Sequence, residues 1–97
     1  MKEYREYNNQ TYKAEVRYSL DGYQNQGRGY YLTIIPVEVD ERSEYWRIDG
    51  TRHSLGINFL LKNCIRKSKK AEEESITRVT NEGLIDKLVA QLNSYKK

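Results

Sequence analysis

Tyr12-Lys13-Ala14-Glu15-Val16-Arg17-Tyr18-Ser19-Leu20 alternates without a break, with Tyr12, Ala14, Val16, Tyr18 and Leu20 on one side and Lys13, Glu15, Arg17 and Ser19 on the other. Successive side chains of a strand point to opposite faces, so this stretch predicts a strand with one face on a core and one toward water. Residues 21–29 follow with Gly22, Gly27 and Gly29 among polar neighbours, the composition of a long hairpin loop. The next run, Tyr30 to Val39, is apolar on both faces at its start and predicts a central strand. Pro36 has no N–H for a ladder, so pairing on both sides is expected only up to Ile35. A charged turn, Asp40 to Glu44, leads into a third short strand, Tyr45 to Asp49, completing a three-stranded antiparallel meander.

Beyond this sheet the period changes. On a wheel of 100° per residue, Ile57, Leu60, Leu61, Cys64, Ile65, Ala71 and Val79 share a stripe with Ser68 and Ser75, and Lys62, Arg66, Lys69 and Lys70 lie opposite. The spacing predicts one amphipathic helix from Leu55 to Val79, capped by Thr51 or Ser54. A second helix, capped by Thr80 or Asn81, carries Leu84, Ile85, Leu88, Val89 and Leu92 on its apolar side, with Tyr95 beyond them and Lys96 and Lys97 at its end. The expected fold is α+β, in the order β-β-β-α-α, with both helices on one face of the sheet. Residues 1–11 lack an apolar repeat and read as a flexible N-terminal arm or a short edge segment.

Composition narrows the function. At 97 residues the chain is expected to be a single domain, 1–97, with a thin core, because only 37% of residues are hydrophobic and 32% are charged. A monomer or a homodimer fits that core. A net charge of +3 argues against a DNA mimic, which displays carboxylates. One cysteine, Cys64, permits neither an internal disulfide nor a cysteine-based zinc cluster. No run approaches the roughly 20 apolar residues of a membrane span, and residues 1–10 do not resemble a signal peptide. A cytoplasmic protein with no membrane partner is the expectation.

No residue set assembles a catalytic constellation. His53 is the sole histidine, and beside Arg52 it could serve a small ribonuclease as base and phosphate clamp, but no second proton-transfer group accompanies it. The carboxylates at Glu38, Asp40, Glu41 and Glu44 lack metal-loop spacing, and Glu72, Glu73 and Glu74 lie on a helix where Lys69–Glu73 and Lys70–Glu74 pairs explain them. No metal and no cofactor is expected, and the chain reads as a non-enzyme. Five of the nine residues from Lys62 to Lys70 are basic, and nine of the eleven aromatics lie between Tyr4 and Trp46. Candidate binding residues are therefore Lys62, Arg66, Lys69 and Lys70 for phosphates, with Arg17, Arg28, Tyr30, Tyr45 and Arg47 forming an aromatic and basic sheet surface.

Ser68-Lys69-Lys70-Ala71-Glu72 is similar to the start of the last helix of double-stranded-RNA-binding domains. The chain departs from that family because residues 1–11 are too polar and short for its first helix, and because the motif falls inside a helix expected to begin near Leu55. The short length, the tyrosine content and the segments Glu15-Val16-Arg17-Tyr18, Arg28-Gly29-Tyr30-Tyr31-Leu32 and Lys69-Lys70-Ala71-Glu72 resemble small accessory proteins of phages and conjugative elements of Gram-positive bacteria. That resemblance implies inhibition of a host defence complex, a restriction or CRISPR system, by binding a host protein or ribonucleoprotein. A sequence-nonspecific nucleic-acid-binding module is the alternative reading of the same basic residues.

Overall fold

The computed structural model describes residues 1–37 and 56–94. The expected third strand Tyr45–Asp49, the candidates Tyr45 and Arg47, the Arg52–His53 pair, the caps Thr51 and Ser54, and Tyr95 to Lys97 lie outside the described residues. The fold is α+β. Among the described residues four strands, β1 (Lys2–Tyr7), β2 (Gln10–Ser19), β3 (Gly29–Pro36) and β4 (Ile57–Asn63), form an antiparallel sheet in the order β1-β2-β3-β4, and two helices, α1 (Lys69–Glu82) and α2 (Leu84–Ser94), follow.

β1 falls in the stretch read as an arm or edge segment, and it is the edge strand of the sheet. It hairpins into β2 through Asn8 and Asn9, both at positive φ (50° and 64°), and Tyr7 pairs with Gln10. Asparagine tolerates the left-handed region, and two such residues make the tight turn whose twist matches that of the strands. The strand has no apolar face of its own because it lies at the sheet margin. Its inner face meets α2 through polar groups: Arg5 Nε pairs with Asp86 at 3.1 Å, and Asn8 Nδ2 donates to Asn93 Oδ1 at 2.8 Å.

β2 is as its alternation requires, with Tyr12, Ala14 and Val16 buried and the intervening residues partly exposed. β3 is buried along its whole length, as expected of an interior strand. It pairs with β2 as far as Pro36 and with β4 only as far as Ile34, so the proline closes the strand.

The expected helix from Leu55 to Val79 is corrected in its first half. Ile57–Asn63 is a strand on β3, residues 64–68 form a loop, and α1 begins at Lys69. A β-bulge disguised the strand. Tyr30 pairs with Lys62 while Tyr31 pairs with Leu60, leaving Leu61 as the extra residue. Such an insertion turns neighbouring side chains out of strict alternation, and the resulting spacing of Ile57, Leu60, Leu61 and Cys64 imitates a helical stripe. Arg78 of α1 braces the bulge by donating to the carbonyls of Leu61 at 2.8 Å and Leu60 at 3.4 Å, with its guanidinium 5.5 Å from the Phe59 ring centre.

The helix cap is Ser68, whose Oγ accepts from Ala71 N at 3.1 Å. The expected stripe holds within α1, where Ala71, Ser75 and Val79 are buried and the Ser75 hydroxyl donates to Ala71 O at 2.8 Å. Thr80 and Asn81 are not caps of the second helix; they form the last turn of α1. That helix stops at Gly83, which adopts φ 60°, ψ 38° and donates to the carbonyls of Thr80 and Val79. α2 then buries Leu84, Ile85, Leu88, Val89 and Leu92, all five expected positions. These close the core against Tyr12, Ala14, Val16, Tyr30, Leu32, Ile34 and Leu61 of the sheet. Both helices therefore cover one face.

Candidate functional site

Two loops meet at one end of the sheet: residues 20–28, between β2 and β3, and residues 64–68, between β4 and α1. Backbone and tyrosine groups lock them. Cys64 N donates to Arg28 O at 3.1 Å, and Asn63 Nδ2 donates to the carbonyls of Gln26 and Arg28, each at 3.1 Å. Tyr18 donates its hydroxyl to Ile65 O at 2.8 Å and lies 3.2 Å from Cys64 O. The Tyr30 hydroxyl donates to Ser68 O at 3.2 Å and accepts from Ser68 N at 3.1 Å. The two rings pack edge to face, 5.1 Å between centres. Tyr18 of β2 and Tyr30 of β3 thus spend their polar ends on the 64–68 loop.

Arg28 joins the loops directly. Its Nε donates to Leu20 O at 3.0 Å and its Nη1 to Ile65 O at 3.2 Å. One planar guanidinium holding two carbonyls ties the backbone at Leu20 to the backbone at Ile65. Both are exposed, at 63% and 77%. Beside Ile65 run Arg66, Lys67, Lys69 and Lys70, all exposed. An open groove of about 280 Å³ is lined by Arg28, Asn63, Cys64 and Ile65.

The charge arrangement opposes helix stability. Cations belong near the negative C-terminal end of a helix and anions near its N-terminus. α1 begins with Lys69 and Lys70, carries Glu72 as its first-turn acid, and has no basic residue in its last turn. The positive pole of the helix and the cations of the loop therefore add. Among the described residues no ion pair to Arg66, Lys67, Lys69 or Lys70 offsets this concentration of positive potential at the loop end.

The expected site residues separate into different environments. Arg66, Lys69 and Lys70 come together, on a loop and a helix start rather than on one helix face. Lys62 lies on β4 and forms an ion pair with Glu74 at 3.1 Å, the partner expected for Lys70. Tyr30 is 4% exposed and presents no stacking surface. Arg28 is the clamp described above, and Arg17 lies on the sheet face away from the helices, opposite Tyr31. Leu20 and Ile65 were expected in the core, and sequence reasoning missed them as site residues. A signal existed for each: Leu20 adjoins Asp21-Gly22 at the strand end, and Ile65 precedes a dibasic pair.

Tyr18 supplies a handle on the loop anchor. Partial desolvation, reinforced by the nearby Cys64 and Tyr30 and opposed by Arg28, holds its phenol above its ordinary value of about 10. The native state therefore keeps the proton longer than the unfolded chain. The stabilisation is complete below pH about 10 and declines as pH rises from there through the higher native value. Tyr18→Phe is expected to lower the melting temperature modestly at neutral pH and to flatten the decline above pH about 10. An unchanged alkaline profile in thermal melts would show that the hydroxyl does not anchor the loop.

No protein-family model, curated protein or solved structure matches this chain. Among the described residues no helix is long and apolar enough to cross a membrane.

Proposed function

We propose that the chain is a non-enzymatic binding protein that occludes a host protein complex through the loop-end surface centred on Leu20 and Ile65. The supporting observation is the Arg28 clamp, which ties together the backbones of two exposed aliphatic residues, Leu20 and Ile65, the second of which leads directly into the exposed cations Arg66, Lys67, Lys69 and Lys70. An exposed aliphatic pair with a charged margin has the layout of a contact surface, an apolar centre excluding water and a polar rim. The cations select an acidic rim on the partner and speed the encounter. The resemblance to accessory proteins of mobile elements supports a host defence complex as the target, with inhibition by occlusion. Nucleic-acid binding is the second reading, favoured by the absence of ion pairs to Arg66, Lys67, Lys69 and Lys70 among the described residues. Aliphatic side chains add little to a phosphate surface, whose usual apolar elements are stacking aromatics, and this places the protein partner first.

One experiment separates the readings. Immobilised wild type and the Leu20→Ser/Ile65→Ser variant are incubated with bacterial lysate, with and without nuclease treatment, and washed in high salt. A defined nuclease or effector subunit retained by the wild type and lost with the variant is the expected result. Retention that disappears after nuclease or in high salt would transfer the function to nucleic acid. Identical protein profiles for wild type and variant would remove the surface from consideration.

A further inference from the structure

The two margins of the sheet are unlike. On β4, the carbonyls of Leu60 and Leu61 are occupied by the guanidinium of Arg78, which also pairs with Glu82 at 3.0 Å. Among the described residues no other element covers the outer edge of β1; its own Arg5, which pairs with Glu3 at 2.9 Å, is what reaches it. Its ladder shows which groups point outward. Val16 N donates to Met1 O at 3.3 Å, and Met1 therefore begins the hydrogen-bonded pairs with β2. By alternation Glu3, Arg5 and Tyr7 continue them, and the N–H and C=O groups of Lys2, Tyr4 and Glu6 face away from the sheet. The Tyr4 carbonyl meets only the neighbouring Arg5 Nη1, at 3.3 Å. Tyr4 itself is 55% exposed.

We infer that β1 is a dimerisation edge, pairing antiparallel with β1 of a second copy about a twofold axis through Tyr4. Outward-facing groups must meet outward-facing groups, and this permits only registers in which Lys2, Tyr4 and Glu6 oppose one another's set. Charge selects among them. An axis through Glu3 sets that carboxylate against itself, and an axis through Arg5 does the same with two guanidinium groups. With Tyr4 on the axis, Lys2 opposes Glu6 and Glu3 opposes Arg5, each twice, and the two Tyr4 rings meet on the open face. Residues Lys2-Glu3-Tyr4-Arg5-Glu6 form a charge palindrome of the kind an isologous contact requires. Directly opposed unlike charges and aromatic pairs stabilise antiparallel neighbours, and like charges oppose them. Charges on an edge strand commonly discourage pairing; on β1 their order is one in which a second copy's charges match. The assembly joins the two four-stranded sheets into one.

Lys2 and Glu6 are exposed, so changing them leaves the core intact. Sedimentation or light scattering of the wild type is expected to show a concentration-dependent species of twice the 11.5 kDa chain mass. Lys2→Glu opposes carboxylates across the axis, Glu6→Lys opposes ammonium groups, and each variant alone is expected at the monomer mass. An equimolar mixture of the two restores every opposed pair, and its expected product is a heterodimer. Three results would each overturn the inference: a wild type that stays monomeric at every concentration, single variants that dimerise as the wild type does, or a mixture no heavier than its components.

Discussion

Gly29→Ala is expected to destabilise the protein by about 3 kcal/mol, the upper end of what overpacking costs. The backbone contributes, since φ of 159° lies at the margin of a region that residues with a Cβ rarely adopt. Space is the larger reason. A Cβ at Gly29 would lie 2.2 Å from the Lys62 carbonyl oxygen and 2.8 Å from Asn63 Cα. Both are backbone atoms of β4, pinned by the Gly29–Asn63 pairing and by the Asn63 side chain on Gln26 and Arg28. Relief requires the strand end to move, and the move carries the Arg28 clamp and the 64–68 loop with it. A domain of this size has a total stability of about 5–10 kcal/mol, so the loss should be plain in urea titration. Stability within about 0.5 kcal/mol of wild type would contradict so close a backbone approach.

Leu61→Ala is expected to cost about 2–5 kcal/mol, the range for truncating a buried leucine. Leu61 is 6% exposed and packs in the cluster between sheet and helices. Leu60, beside it, is only partly buried on the other face, so Leu60→Ala should cost clearly less. Arg66→Ala, on an exposed loop position, should change stability by no more than about 0.5 kcal/mol. The Leu60 and Leu61 comparison tests the bulged strand specifically, because one amphipathic helix would direct both residues into the core. Equal losses at the two positions in thermal melts would restore the helical reading.

The helical reading of residues 57–65 failed for a reason visible in those two leucines. Periodicity reports which residues are apolar and how they are spaced, and one inserted residue in a strand gives the spacing of a helical stripe. The signal that separates the two is the partner strand, and β3 lies more than twenty residues earlier in the chain. β1 was indistinct for a related reason. A marginal strand that meets a helix through Arg5 and Asp86 has no apolar alternation to display, and only Asn8-Asn9 marked its turn. The site shows the same division: the run of cations was legible as composition, and Lys62 left it only because Glu74 lies within reach across the fold.

What the sequence determined by itself is local: the alternation of β2, the glycine-rich loop before β3, the double-faced apolar run of β3, and the stripes of α1 and α2. Each is settled by neighbours within one or two turns or a few strand positions. Tertiary structure decided the rest. Pairing with β3 made Ile57–Asn63 a strand and its bulge put Leu61 in the core, while the chain around the Arg28 clamp leaves Leu20 and Ile65 exposed. Burial depends on what packs against a side chain, and for these residues the packing partners lie on distant segments that no short window of sequence contains.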